Sequence, residues 1–144
     1  MKKAVTGAAA AIAAAAAMLF GLHAADAAGN HAGGVRTVDV TIHYSHFSVS
    51  HLSFPAGTTV RFVIRNTDPI DHEFILGTRG VQQLMEHTKE RVHTGAIPGQ
   101  ISIPAETTRT TTFTFGAPGN DLLFGCHLPG HYRYGMRGSI TVTA

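Results

Sequence analysis

From Val35 to Tyr44 apolar and polar residues alternate one for one. Val38, Val40, Ile42 and Tyr44 fall on one face, with Thr37, Asp39, Thr41 and His43 on the other. A period of two over that length predicts a half-buried strand. Phe47 and Val49 continue the rhythm, but Leu52 and Phe54 are out of phase with it, and the slip predicts a β-bulge near Ser50 or His51. Pro55-Ala56-Gly57 reads as a turn, after which Val60, Phe62 and Ile64 begin another inward face. Asn66-Thr67-Asp68-Pro69 is turn chemistry again, and a short strand follows around His72, Phe74 and Leu76.

The β rhythm breaks between Thr78 and His93. Val81, Leu84, Met85 and Val92 recur there at helical spacing, behind a Thr78 able to cap a first turn. A short helical insertion is expected. Beyond Pro98-Gly99 strands resume over 101–103, 107–115, 121–126 and 137–143. About eight short strands with one helical interruption predict an all-β fold, an antiparallel Greek-key β-sandwich over residues 35–144.

Composition and charge narrow the class. The 144 residues suffice for one domain. Net charge is +2, from 11 Lys+Arg against 9 Asp+Glu, too little for the dense cationic face that nucleic acid requires. Residues 1–27 read as a signal peptide. Lys2 and Lys3 precede an alanine-rich apolar run from Ala8 to Leu22, and Ala25-Asp26-Ala27 puts small residues at the −3 and −1 positions. An uncleaved membrane anchor is the alternative, disfavoured because the run falls short of about 20 residues. Residues 28–34 are a flexible lead-in. The chain is therefore expected to be exported, periplasmic or extracellular, and monomeric. A lone cysteine excludes an internal disulfide, and in an exported protein an unoccupied thiol is a liability.

That cysteine opens the stretch Cys126-His127-Leu128-Pro129-Gly130-His131-Tyr132-Arg133-Tyr134-Gly135-Met136, which sets thiol, imidazole and thioether at the spacing Cys-x4-His-x4-Met. A soft thiolate, imidazole nitrogens and a weakly held methionine sulfur suit copper cycling between Cu(I) and Cu(II). A second imidazole is needed, and His72 in Asp71-His72-Glu73-Phe74 is the choice. Cys126 shares strand parity with Leu122 and Phe124, so its sulfur should point inward. Zinc is the weaker reading, because zinc sites favour Cys and His without a thioether. A cysteine nucleophile would need an accessible thiolate and an orienting third group, and neither is indicated.

The loop 126–138 resembles the ligand loop of cupredoxins (type 1 blue copper proteins), in particular the rusticyanin and sulfocyanin type. Phe54-Pro55-Ala56-Gly57-Thr58-Thr59-Val60-Arg61-Phe62 is similar to the family's strand entering the sandwich, and Asp71-His72-Glu73-Phe74 to its upstream histidine segment. The resemblance covers about residues 35 to 144. It implies a cupredoxin-type Greek-key β-sandwich with one copper ion on His72, Cys126, His131 and Met136. It further implies no enzymatic activity, and single-electron transfer between a redox donor and acceptor docking near His131. Leu128, Pro129 and Tyr132 would form the rim of that docking surface.

The chain departs from the family pattern in three ways. Glu73 stands where many members carry Asn or Ser, so a carboxylate could approach the metal. His127 is also found beside the cysteine in multicopper oxidases, but Gly125 replaces their preceding histidine. The helical insertion is absent from the simplest members. Met85, His87 and His93 could form a second, weaker copper site; the favoured reading packs Met85 inward and leaves the histidines solvated. A periplasmic copper-handling role, buffering or resistance, is the alternative to electron transfer, since both use the same four ligands.

Overall fold

The alternation at residues 35–44 is a strand. Val35–His43 (β1) buries Val40 and Ile42 and turns at Tyr44-Ser45 into the two-residue strand His46–Phe47 (β2). The computed structural model describes residues 34–88 and 92–144. The expected signal peptide, nearly all of the lead-in and residues 89–91 of the expected helical stretch lie outside the described residues.

His51–Pro55 (β3) belongs to a different sheet from β2. Phe47 pairs with Ile42, whereas Leu52 and Phe54 pair with Ile140 and Val142 of Arg137–Thr143 (β9). The phase slip between Val49 and Leu52 is therefore a change of sheet and not a β-bulge. A chain crossing to the opposite layer meets the core from the other side, which inverts the parity of its inward residues.

Thr59–Asn66 (β4) shows the cleanest pattern, with Val60, Phe62 and Ile64 at 0% exposure on alternate positions. His72–Thr78 (β5) is followed by the helix Arg79–His87 (α1), then Gln100–Ile103 (β6), Thr108–Thr114 (β7) and Gly119–Gly125 (β8). One sheet runs β2-β1-β4-β7 and the other β3-β9-β8-β5-β6. Most neighbours are antiparallel, but β1–β4 and β3–β9 are parallel, so both sheets are mixed. Side chains alternate in the same way along either kind of pair, and alternation therefore carries no information about strand direction. Phe54, Phe62, Phe74, Phe115 and Phe124 fill the space between the layers in stacked and edge-to-face contacts. Each fully buried ring contributes about 1.5–3 kcal/mol over its exposed state.

β5 is buried at six successive positions, on both faces. The cause is α1, which lies on the outer face of its sheet. Thr78 caps the helix, its Oγ1 accepting from the Val81 amide at 3.4 Å, and the helix stops at His87. The expected apolar stripe is not the buried face: Leu84 is 61% exposed and Val92, beyond the helix, 68%. The buried residue is Gln82, whose Nε2 donates to the carbonyls of Ile75 and Leu123 at 3.0 and 3.1 Å. An amide matches exposed strand carbonyls better than an alkyl chain, so polar pairing sets the helix's orientation.

Gly138 on β9 tests the closeness of this packing. A Cβ there would meet the Phe124 ring and sit 2.7 Å from the Ser50 carbonyl oxygen, a backbone atom with little freedom to move. Gly138→Ala should cost about 1–3 kcal/mol, read as a lower thermal midpoint of the metal-free protein; an unchanged midpoint would show that the strand can shift.

Candidate metal centre

Two strand ends and one loop build the site. His72 begins β5, which lies beside β8 in register Ile75↔Gly125, and Cys126 follows β8 directly. The chain then folds back through two positive-φ glycines, Gly130 (88°) and Gly135 (103°), before entering β9. The Cys126 amide donates to the Met136 carbonyl at 3.1 Å, and the Met136 amide to the His131 carbonyl at 3.0 Å. These bonds clip both ends of the loop together.

The loop holds His131 Nδ1 3.3 Å from Cys126 Sγ, while His72 Nδ1 approaches the same sulfur at 3.9 Å, the two rings lying side by side with centroids 5.0 Å apart. The candidate ligand atoms of His72, Cys126 and His131 all lie within 4.8 Å of one another. His72 and Cys126 are completely buried, and His131 is half-buried. Met136, at 1% exposure, sits in the hydrophobic core at the loop's far end, its main chain bonded to both Cys126 and His131. Two imidazole nitrogens converging on one buried sulfur form a donor set that copper accepts.

The groups behind the ligands were not foreseen. Asp68 Oδ2 lies 2.9 Å from His72 Nε2, which leaves Nδ1 to face the sulfur. Its sequence neighbourhood reads as turn chemistry alone, and nothing in the spacing marks it as a partner of His72. The Glu73 amide donates to Cys126 Sγ at 3.3 Å, so the main chain of this residue, not its carboxylate, serves the sulfur. Neighbouring residues on a strand face opposite ways, and the Glu73 side chain points to the outer face. There Oε2 accepts from the His127 amide at 3.1 Å and Oε1 stands 3.8 Å from His93 Nε2.

His127 faces the insertion. Its Nδ1 lies 2.8 Å from Glu86 Oε1, its Nε2 2.7 Å from Gln82 Oε1, and its ring stacks on Tyr132 at 4.6 Å. Tyr132 therefore lies against His127 and under Arg137, not in the rim around His131. That rim is formed by Pro69, Ile70, Asp71, Leu128 and Pro129. Met85 and His93 line one cavity of about 260 Å³ on the insertion, and His87 lies outside it.

Electrostatics follow from burial. Burial pushes the Cys126 thiol from 9.0 up to about 12, although the Leu128 and Glu73 amides pull the other way. Desolvation, aided by His72, lowers His131 against a smaller opposing effect of Asp68, favouring its neutral, lone-pair-bearing form. Burial raises the Asp68 carboxyl, but the Ser45 and Tyr44 amides and the His72 ring outweigh it and hold Asp68 below its ordinary value.

A family model described as a cupredoxin-like domain matches residues 10–100 and ends before the Cys126 loop. The "Copper-resistant cuproprotein CopI" of Rubrivivax gelatinosus is 33% identical over 133 residues, covering 85% of this chain and 79% of that protein. The protein of the same name from Pseudomonas aeruginosa is 27% identical over 140 residues, covering 74% and 76%. The crystal structure of auracyanin B superposes with a TM-score of 0.61 at 29% identity, covering 76% of this chain and 89% of that one.

The buried thiol has a consequence for the metal-free protein. The unfolded chain releases its Cys126 proton near pH 9, whereas the folded chain keeps it until about 12. Across that window the folded state binds more protons, so stability falls as pH rises. Denaturant unfolding at pH 8 and pH 10.5 should show this loss in the native sequence and a smaller one in Cys126→Ala. Equal losses would mean that the thiol titrates as if exposed.

Proposed function

The chain belongs to the cupredoxin family, and from that premise we propose that it is an exported protein that holds one copper ion between His72, Cys126, His131 and Met136 and passes single electrons between a donor and an acceptor protein. The observation that carries the reading is the convergence of two imidazole Nδ1 atoms on one buried cysteine sulfur. Bound copper would supply a one-electron Cu(I)/Cu(II) couple and no other chemistry.

The chain's own residues do the rest. His72 is held by Asp68 and the Cys126 sulfur by the Glu73 amide. His72 sits on β5, paired with β6 and β8, and Cys126 directly follows β8, so the donor atoms keep their places whichever charge they face. The core excludes water from the sulfur, and the hydrogen-bonded loop keeps His131 and Met136 in step with Cys126. His131 alone of the three converging ligands reaches the surface. Its ring edge emerges among Pro69, Ile70, Asp71, Leu128 and Pro129, with Ile70 47% exposed. A small rim that is apolar but for Asp71 suits brief docking, because it gives contact with little charge pairing. In this reading no substrate is transformed. Among the described residues no helix is long and apolar enough to cross a membrane.

A second reading has its own support. Two relatives carry the name copper-resistant cuproprotein, which favours a copper-handling role, by buffering or by resistance, for the same ligand set.

The visible and EPR spectra of the Cu(II)-loaded protein test the site. An intense sulfur-to-copper absorption band is expected, and it should vanish in Cys126→Ala; a native protein that stays colourless with cupric salt would end the proposal.

The two roles separate at the rim. Leu128→Glu should leave copper binding intact and slow electron exchange with a cytochrome about tenfold or more, as expected when a central apolar contact is lost. If copper tolerance of cells depending on this chain survives that substitution, handling is the role; if tolerance falls with the exchange rate, electron transfer is.

A further inference from the structure

Tyr44 and Ser45, the two turn residues between β1 and β2, both adopt positive φ, 50° and 55°. Two-residue turns of this kind favour Asn-Gly or Asp-Gly, since a left-handed conformation costs other residues about 1–2 kcal/mol each. This chain places a tyrosine and a serine there. Strain at a fixed position calls for a compensating contact, and that contact is Asp68. The Tyr44 amide donates to Asp68 Oδ1 at 2.8 Å and the Ser45 amide to Oδ2 at 2.7 Å.

Asp68 is pinned from behind as well. Its own amide donates to Asn66 Oδ1 at 3.0 Å, and its carbonyl accepts from the Glu106 amide at 3.1 Å. Asn66 Nδ2 in turn faces the carbonyls of Ile70, Ile103 and Pro104 at 2.8 to 3.2 Å. The carboxylate therefore has almost no freedom to swing. Its exposed neighbour His43 stands 3.8 Å away across Oδ1. The remaining contact of Oδ2 is His72 Nε2, at 2.9 Å, between side chains 7% and 0% exposed.

We propose that Asp68, locked by the strained Tyr44-Ser45 turn, is a positioning residue for the metal centre. It fixes His72 as the Nε2–H tautomer, aims the bare Nδ1 at the site, and lowers the reduction potential by favouring the more highly charged Cu(II) state. This rests on the copper reading above. The physical basis is general: a carboxylate accepting from a ligand imidazole orients the ring and makes it a stronger donor. The negative charge also lies in a region of low dielectric, where screening by water is weak.

Two measurements test the proposal. In Asp68→Asn the side chain keeps its size, but loses its charge and must turn its amide nitrogen towards one of three converging N–H donors. Cu(II) affinity should fall about 10–100-fold, Cu(I) affinity should fall less, and the reduction potential should rise accordingly. A residue that merely anchors the turn would lower thermal stability without moving the ratio of the two affinities. An unchanged ratio in folded Asp68→Asn would overturn the electrostatic role. The second measurement needs neither the variant nor copper. Nitrogen-15 NMR of the metal-free native protein at pH 8 should find the His72 proton on Nε2 with Nδ1 bare. A proton on Nδ1 with Nε2 bare would overturn the positioning role, whatever the copper-loaded protein does. Conversely, the expected tautomer in a protein that never develops the copper absorption band would leave the Asp68–His72 pair standing and remove the copper reading alone.

Discussion

A thiol with no exposed surface cannot easily become a thiolate by itself. Burial drives Cys126 up to about 12, and only a positive charge close to the sulfur would reverse that preference. The architecture around it follows from this constraint. The Nδ1 atoms of two neighbouring imidazoles face the sulfur, a main-chain amide donates to it, and phenylalanines and isoleucines close the space behind. The arrangement is costly for a protein that leaves the thiol protonated and favourable for one that replaces the proton with a metal cation.

The hydrogen bonds around the ligands divide into two layers on opposite faces of one sheet. On the inner side the Asn66–Asp68 turn and the Tyr44-Ser45 hairpin hold the back of His72. On the outer side α1 reaches the neighbours of the ligands in the chain. Gln82, anchored on two strand carbonyls, meets the ring of His127, and Glu73 meets the amide of His127. Each ligand strand is thus held through the residue before or after its ligand. The insertion consequently supports the Cys126–Met136 loop from the face opposite the candidate donor atoms. Its place on the sheet is also why a carboxylate beside His72 is tolerated: Glu73 is 1% exposed but looks towards His127 and His93.

Membership of the cupredoxin family and the likeness to copper-resistant cuproproteins bear on the same site. A centre whose donors are fixed in advance resists rearrangement between two copper charges, which benefits an electron carrier. The same fixed donors select copper over harder metals, which benefits a protein that handles the metal.

What the sequence determined by itself was everything carried by near neighbours. Period-two alternation located the strands, Thr78 marked the start of the helix, and the spacing of Cys126, His131 and Met136 placed three candidate donors on one loop, whose fold sets the His131 ring against the Cys126 sulfur. Tertiary structure decided what depends on which segments lie side by side. Alternation is blind to strand direction, so the parallel β1–β4 and β3–β9 pairs and the change of sheet after Phe47 were not legible. Helical spacing was equally blind to the partner surface, and Gln82 rather than Leu84 faces the sheet. His72 reaches Cys126 only because β5 runs beside β8, and Asp68, four residues before His72, is clamped by a hairpin from the other sheet. Contacts between residues far apart in the chain are set by how the layers stack, and local pattern cannot encode them.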